Sequence, residues 1–297
     1  MNEACKRCNI RAVHNIASFI DLPDEQEAAA VAAATDAISS YDDVDRYEDN
    51  PESMGEIWKA ITPILGTDDP YVDTKRHYNE VTLSLYDEAR SLVSGADDPA
   101  QMALRIAAIG NLIDFGPGVV FDEAKVADLV RSAPSLSFEL DDTPALVEAV
   151  RAADSLVYLA DNCGEVAFDK LLLEEFHREV PALDITYVVR ALPILNDVTM
   201  VDADQAGMGE VARVITNGDT SRTAGTPLSH VSAACHDAIF DADVVIAKGQ
   251  GNLETLCHID RADVFFMLMA KCDRIARLCD VPQASLVCVR NDHEVLV

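Results

Sequence analysis

The spacing of apolar residues changes near residue 150 of the 297-residue chain. Before that point apolar residues recur at helical intervals in sequence rich in Ala, Glu and Asp, and Pro or Asp starts and Gly ends mark several segments. After it, short runs rich in Val, Ile and Leu alternate with segments of helix length. The pattern predicts helices over Glu3–Ile20, Asp24–Ser40, Pro51–Ile64, Tyr71–Val93, Pro99–Asp114, Asp122–Ser132 and Pro144–Ala153, and strands over Leu156–Leu159, Ile185–Val189, Ala212–Thr216, Val244–Ala247, Val264–Met267 and Leu286–Val289.

The change of pattern predicts an α/β protein in two parts. Residues 1–150 are expected to form a helical domain. Residues 151–297 are expected to form a three-layer α/β/α, Rossmann-like domain, since strands alternating with helices give a sheet covered on both faces. The apolar content of 49% is ample for a buried core.

Polar side chains and glycines follow three of the predicted strands directly. They are Asp161, Asn162, Gly164 and Glu165 after the first strand, Asn196 and Asp197 after the second, and Lys248, Gly249, Gln250, Gly251, Asn252 and Glu254 after another. In open α/β sheets, ligands bind outside the carboxyl ends of the strands, where the N–H groups of the next helix favour an anion. The sequence therefore predicts one site at this edge, although an Asp cap and a glycine turn alone would give a similar pattern.

The residue types at this edge suit a divalent cation and a phosphate. Carboxylate and amide oxygens match Mg²⁺ or Mn²⁺, so Asp161, Asn162 and Asp197 are the predicted metal ligands. Lys248 and the amides of the following glycines would neutralise charge on a phosphoryl group. This combination predicts hydrolysis of phosphomonoesters by metal-activated water.

Further acidic and amide groups are candidates for supporting roles. Glu165 is a candidate general base or ligand-orienting group, and Glu254 is a comparable catalytic candidate beyond the glycine loop. Asp169 lies one helical turn after Glu165, where a carboxylate would orient a metal ligand. Asn111 and Asp114 follow Gly110 and are expected either to face the cleft or to form a polar helix end.

The same motifs resemble a known family. The similarity rests on Asp161-Asn162-x-Gly164-Glu165, Asn196-Asp197-x-Thr199, Asn217-Gly218, Lys248-Gly249-Gln250-x-Asn252-x-Glu254 and Lys271-Cys272, with Gly110-Asn111-x-x-Asp114, Asp69-Pro70-Tyr71 and Cys5-x-x-Cys8 earlier in the chain. Together they resemble the damage-control phosphatases, a family formerly described as a domain of unknown function and related to a reported acidic-residue carboxyl methyltransferase. The Cys5-x-x-Cys8 pair is similar to that of its archaeal and bacterial branch.

The resemblance implies specific roles for residues of this chain. Asp161, Asn162 and Asp197 would hold a divalent ion such as Mn, Mg, Co or Ni. Residues from Gln250 to Glu254, including Gly251 and Asn252, together with Lys271, would contact the phosphate of a sugar phosphate or a damaged or excess phosphometabolite. The chain departs from the family pattern at Cys163, Gly251, Leu253 and Ala191-Leu192, and none of these changes removes a ligand.

The charge balance excludes some partners. The chain has 52 Asp and Glu against 23 Lys and Arg, a formal net charge of −29, which repels nucleic acid and anionic membrane. The abundant Val, Ile and Leu argue against disorder, so adaptation to concentrated salt is the expected cause of the charge. No apolar run approaches membrane-spanning length and no signal peptide is evident, so a cytoplasmic location is expected.

The eight cysteines are expected to be reduced thiols, because the sequence shows no secretory signal. Cys5 and Cys8 have the spacing of two ligands of a soft metal, and a structural zinc or a redox role remains an alternative to plain thiols.

Three functions stay open for this sequence. The favoured one is the metal-dependent phosphatase. A non-catalytic metal or nucleotide-binding protein would use the same ligands. A carboxyl methyltransferase that uses S-adenosylmethionine is the third, although the first strand lacks the glycine-rich turn typical of that class.

Overall fold

The computed structural model describes residues 1–41, 46–112, 123–261 and 263–291. The α-helices within these ranges are α1 (Glu3–Phe19), α2 (Asp24–Ala37), α3 (Asp49–Leu65), α4 (Val72–Ser84), α5 (Tyr86–Ser94), α6 (Pro99–Leu112), α7 (Glu123–Ser132), α8 (Thr143–Ala152), α9 (Glu165–Glu179), α10 (Met200–Gln205), α11 (Ala233–Asp241), α12 (Gly249–Leu256) and α13 (Asp273–Leu278). The strands are β1 (Leu140–Asp141), β2 (Ser155–Leu159), β3 (Asp184–Val189), β4 (Arg213–Thr216), β5 (Val244–Lys248), β6 (Val264–Met269) and β7 (Leu286–Arg290). No helix among the described residues has the length and apolarity needed to cross a bilayer.

The strands form one mixed sheet in the order β1-β7-β6-β5-β2-β3-β4. Strands β2 to β6 run parallel to one another, β7 is antiparallel to β6, and β1 pairs in parallel with β7. The chain order reverses between β2 and β5, because β3 and β4 extend the sheet on one side and β6 on the other. Such a reversal opens a crevice at the carboxyl ends of the two central strands.

Alternate residues of the central strands enter two different hydrophobic clusters. On β2, Leu156 and Tyr158 pack in the cluster that contains α6, α8 and α9, whereas Val157 and Leu159 pack in the cluster that contains α11, α12 and α13. Helices therefore cover both faces of the sheet, as the alternating pattern predicted, and the α/β fold class is confirmed. The first cluster contains side chains from both sides of residue 150, and the division into two domains there stays a prediction.

Two element predictions were wrong. The predicted helix Tyr71–Val93 is two helices, α4 and α5, separated at Leu85. The Thr82 and Ser84 hydroxyls donate to carbonyls of the preceding turn, an arrangement that bends helices, and the Leu85 N–H bonds to the Thr82 carbonyl three residues back. The second is β1, which the sequence analysis missed because two residues are too few to show a strand period.

Helices α1, α2 and α3 form a third hydrophobic cluster around the buried Trp58. Ile194, from the loop after β3, also belongs to this cluster. The three helices are thereby attached to the sheet edge at which the predicted site lies.

Candidate active site

A cleft of about 270 Å³ lies at the carboxyl ends of β2 and β5. Its wall contains most of the residues that the sequence singled out, namely Asp161, Asn162, Asp197, Gln250, Gly251, Glu254 and Lys271. The opposite wall comes from α1 and α3, through Cys8, Asn9, Asn50 and Met54. The fold therefore brings together residues that are up to 263 positions apart in sequence (Lys271 and Cys8).

The loops after β2 and β3 are joined by their backbones. Asn162 and Asp197 form an antiparallel bridge, and the Val198 N–H donates to the Asp161 carbonyl at 2.8 Å. Cys163 N–H donates likewise to the Asn196 carbonyl. This pairing holds the three predicted metal ligands side by side.

The Asn162 side chain is oriented by carboxylates. Its Nδ2 donates to Asp161 Oδ2 at 2.6 Å and to Glu165 Oε1 at 2.8 Å. Because Nδ2 faces the carboxylates, Oδ1 is directed away from them and is left for a ligand.

Asn111 brings α6 into contact with the site, although its side chain is buried and does not itself line the cleft. Its Nδ2 donates to Asp161 Oδ2 (3.1 Å) and Glu165 Oε1 (2.9 Å), and its Oδ1 accepts from the Met269 N–H at the end of β6. Gly110 permits this approach, since a Cβ there would lie 2.6 Å from Glu165 Cγ. Asp114, predicted with Asn111, lies outside the described residues.

Lys248 and Glu165 form a buried ion pair below the cleft. Lys248 Nζ lies 2.7 Å from Glu165 Oε2 and 3.0 Å from Asp169 Oδ1, and all three side chains are fully buried. Although burial raises the pKa of Glu165, the charge of Lys248 and its hydrogen bond hold that pKa below its ordinary value. The structure thus gives Lys248 partners other than the predicted phosphate. Glu165 is paired with Lys248 and accepts a hydrogen bond from Asn162, an arrangement that suits the ligand-orienting role among the two expected for it.

Asp169 completes this buried network. Its carboxylate accepts hydrogen bonds from the Tyr158 hydroxyl at 2.5 Å and the Tyr187 hydroxyl at 2.9 Å. The network ties β2 and β3 to α9, in agreement with a supporting role for Asp169.

Arg190 is a site residue that the sequence analysis missed. Its Nε donates to Asp197 Oδ2 at 2.7 Å, and both side chains are buried. Its Nη1 also donates to the Gly225 carbonyl and to Asn252 Oδ1. The sequence did carry a signal for this role, because Arg190 follows β3 directly and precedes the Asn196-Asp197 pair in the same loop.

Asn252 is buried and holds the backbone together. Its Nδ2 donates to the Ala160 carbonyl at 3.1 Å and to the Lys248 carbonyl at 2.7 Å, while its Oδ1 accepts from Thr226 and Arg190. The structure therefore places Asn252 on α12 with its side chain directed to the ends of β2 and β5, and it does not line the cleft where phosphate contact was predicted.

Glu254 lies in the cleft opposite α3. Both of its oxygens accept from Asn50 Nδ2, at 3.1 and 3.3 Å. Burial raises the pKa of Glu254 to about 8, in spite of the Asn50 hydrogen bond and the nearby Arg274. Asn50 was missed by the sequence analysis because it lies 204 positions from its partner and shows no local motif.

The buried Asp161 carboxylate lies close to two other carboxylates, Glu165 and Asp197. Burial raises the pKa of Asp161 to about 7, with repulsion from Glu165 and Asp197 adding to the effect and Lys271 opposing it. Gly249 adopts φ +81°, and a Cβ there would overlap the Asp161 carboxylate. The site thus places unbalanced oxygen donors at its centre, which fits a cation.

The cysteines do not form a zinc centre with the residues described. Cys5 is buried in the cluster of α1–α3, whereas Cys8 is exposed and lines the cleft. Within the described ranges, no three His, Cys, Asp or Glu side chains converge as metal ligands. The predicted set of Asp161, Asn162 and Asp197 is of another kind, because it combines two carboxylates with one amide.

Known proteins are similar to this chain in both sequence and fold. A family model described as the damage-control phosphatase ARMT1-like domain matches residues 1–287. The chain is 36% identical over 239 residues to a damage-control phosphatase of Pyrococcus horikoshii, covering 80% of each chain. It is 33% identical over 230 residues to a damage-control phosphatase of Archaeoglobus fulgidus, covering 77% of this chain and 78% of that one.

The crystal structure of a DUF89 family protein from Pyrococcus horikoshii matches with a TM-score of 0.86 at 31% identity, over 98% of this chain and 99% of that chain. These similarities confirm the resemblance drawn from the motifs. The chain belongs to the damage-control phosphatase ARMT1-like domain family.

Proposed function

We propose that this chain is a divalent-metal-dependent phosphatase that hydrolyses small phosphomonoesters. The observation that carries the proposal is the convergence of Asp161, Asn162 and Asp197 on a small cleft that also contains Lys271 and Gln250. The relatives named damage-control phosphatases support the same reaction class.

Asp161, Asn162 and Asp197 would hold the ion through oxygen atoms, as a hard divalent cation requires. Bound there, the ion would supply Lewis acidity, which makes water a better nucleophile and neutralises phosphoryl charge. The Lys248–Glu165 pair fixes the Asn162 amide from behind, and Arg190 fixes Asp197. Both metal-facing loops are therefore held by buried cations that do not themselves line the cleft.

Phosphate recognition falls to the other side of the cleft. Lys271 is exposed there, and its N–H donates to Gln250 Oε1 at 2.6 Å, which links the loop after β6 to the start of α12. The first turn of α12 adds backbone N–H groups that favour an anion. Lys271 and α12 together would bind the phosphate oxygens.

Glu254 would assist departure of the leaving group. Its raised pKa keeps it protonated at neutral pH, so it can donate a hydrogen bond or a proton to an ester oxygen. The amides of Asn9, Asn50 and Asn196 surround the same space and would bond to hydroxyl groups. These partners and the small cleft favour a compact polyhydroxylated phosphate ester.

The test is phosphate release by metal-stripped protein, in concentrated KCl, from a panel of sugar and cofactor phosphates. Mn²⁺, Mg²⁺, Co²⁺ and Ni²⁺ are added in turn, and metal affinity is measured in parallel. Asp161→Asn and Asp197→Asn should each abolish metal-restored release, whereas Asp73→Asn, on an exposed carboxylate of α4, should not. Tight metal binding with no release under any ion would instead favour a binding protein, and methyl transfer from S-adenosylmethionine would then be assayed.

A further inference from the structure

A second groove, of about 630 Å³, lies on the side of α1 that faces away from the cleft. It is bounded by α1, by the end of α2 and by the short 3₁₀ turn at Ser39–Tyr41. Lys6, Arg7, Arg11 and His14 line it from α1, and Ile10 and Ile38 give it an apolar floor. This cluster of cations stands out on a chain of net charge −29.

Arg7 and Arg11 differ from every other arginine of the protein. The others each donate to a carboxylate, a carbonyl or a hydroxyl. Within the described part of the chain, the side chains of Arg7 and Arg11 make neither a hydrogen bond nor an ion pair, and both residues are exposed. Carboxylates outnumber cations in this chain by more than two to one, so two adjacent unpaired arginines are unexpected.

The two arginines are spaced to act together. They stand four residues apart on α1, so they share one face of the helix about one turn apart. A guanidinium pair at this spacing can bind the oxygens of one phosphate or of two adjoining phosphates with bidentate, charge-assisted hydrogen bonds. Lys6 lies near Glu3 and His14 near Glu27, so the two arginines are the groups best able to donate hydrogen bonds to an anion.

We propose that the groove between α1 and the end of α2 binds a phosphorylated small molecule, with its phosphate on Arg7 and Arg11 and its apolar part on Ile10 and Ile38. The site is separate from the cleft and does not depend on the phosphatase activity proposed above.

Helix α1 gives this groove a connection to the cleft. Cys8, next to Arg7 and three residues before Arg11, lines the cleft on the other side of the same helix. Burial raises the pKa of the Cys8 thiol above its ordinary value, and the charge of Arg11 opposes that rise. An anion that neutralises Arg11 would therefore slow alkylation of Cys8, which provides a readout independent of turnover.

The experiment uses metal-free Asp161→Asn protein, with pyrophosphate and adenosine diphosphate as probes in calorimetric titrations at the lowest salt that keeps the chain folded. The double substitution Arg7→Gln with Arg11→Gln should weaken binding at least ~10-fold, since the anion loses its charge-assisted hydrogen bonds to both guanidinium groups. Arg76→Gln is the matched control, because Arg76 is an exposed arginine that is already paired, with Asp73. Circular dichroism checks that all variants fold.

Cys8 alkylation, located by mass spectrometry, should slow when pyrophosphate is added and should not respond in the Arg11→Gln variant. Lys271→Gln distinguishes the groove from the cleft. Binding that is lost in Lys271→Gln and kept in the double arginine variant would place the anion in the cleft and overturn the proposal. Absence of binding to either probe, or binding only of an acidic peptide, would overturn it as well.

Discussion

The carboxylates of the cleft differ in the groups that balance their charge. Glu165 is balanced by Lys248, and Asp197 by Arg190. Asp161 accepts its hydrogen bonds from the neutral amides of Asn111 and Asn162. A divalent ion would therefore be stabilised most directly by Asp161, while the two buried pairs keep the surrounding groups in position.

The two lysines of the site are expected to behave differently when changed. Lys248→Met leaves Glu165 and Asp169 buried without their cation, so the free energy of unfolding should fall by ~3–5 kcal/mol. Lys271→Met removes an exposed charge and should change that energy by less than ~0.5 kcal/mol while raising KM for the phosphate ester. Urea denaturation and steady-state kinetics check both variants. A stable Lys248→Met protein whose only defect is a raised KM would show that Lys248 binds phosphate directly.

The free energy of unfolding should depend on pH through Glu254, with a sign that its pKa shift fixes. In the folded chain its pKa is about 8, above the ordinary value of 4.5, so between these values the folded state holds a proton that the unfolded state has lost. The stability from the neutral carboxyl is complete below pH 4.5 and declines as pH rises toward 8, by roughly 1–4 kcal/mol. Glu254→Gln should remove this decline. Denaturation midpoints of both proteins across this pH range, compared at equal salt, measure it.

The kinetics of the same pair test the role of the proton. Wild-type kcat should fall as pH passes about 8, because an ionised Glu254 no longer donates to the ester oxygen. The glutamine variant keeps a hydrogen-bond donor but no transferable proton. An unchanged alkaline limb in Glu254→Gln would exclude Glu254 as its origin.

At the scale of elements, local pattern located the strands well. The predicted strands agree with β2 to β7 to within two residues at each end, because runs of Val and Ile between turn residues have few alternatives. The cleft residues that follow a strand directly, such as Asp161 and Asp197, could be predicted for the same reason. Asn50 and Arg190 could not, since their functional partners are set by tertiary packing of α3 and of the loop at Gly225.

The orientation of side chains was also beyond local pattern. Lys248 and Gln250 are two positions apart, yet one is buried against Glu165 and the other lines the cleft. Which side each takes depends on where β5 ends and α12 begins, and α12 begins at Gly249. Sequence spacing identified the loop and assigned Lys248 to the phosphate, but it carried no information on which side chain would be buried.

That junction provides the prediction at this scale. Gly249→Ala requires a side chain at φ +81° and places its Cβ in the Asp161 carboxylate, so we expect a destabilisation of ~1–3 kcal/mol and loss of metal-dependent activity. Gly209→Ala is the control, since a Cβ there meets no atom within 4 Å, and it should change stability by less than ~0.5 kcal/mol. Thermal unfolding and metal titration measure the two effects. Full metal affinity in Gly249→Ala would mean that Asp161 is not held by this junction.

Over the whole molecule, charge is distributed unevenly between inside and outside. The buried cations Lys75, Arg190 and Lys248 each balance buried carboxylates. Several of the remaining ion pairs are exposed and join residues three or four positions apart, and such pairs contribute little to stability. The excess of acidic groups is therefore left on the surface, where only salt can screen it.

Salt should consequently control the stability of the entire chain. Raising KCl from about 0.1 M to about 1 M shortens the screening length from ~10 Å to ~3 Å, which weakens repulsion among surface carboxylates. We expect the Tm to rise over this range and activity to be lost at the low end. Sucrose at matched concentration raises Tm through exclusion from the protein surface and leaves charge unscreened. Comparing it with KCl therefore separates the effect of charge screening from the effect of solute exclusion.

A variant with fewer charges makes the test specific. Replacing the exposed Glu25, Asp204 and Asp260 by their amides lowers the negative charge without touching the cleft. If repulsion limits stability, this variant should melt at a higher temperature than the wild type in dilute buffer and respond less to KCl, with the same response to sucrose. A wild-type Tm that is sharp and unchanged between dilute buffer and concentrated KCl would show that the net charge of −29 has another cause than adaptation to salt.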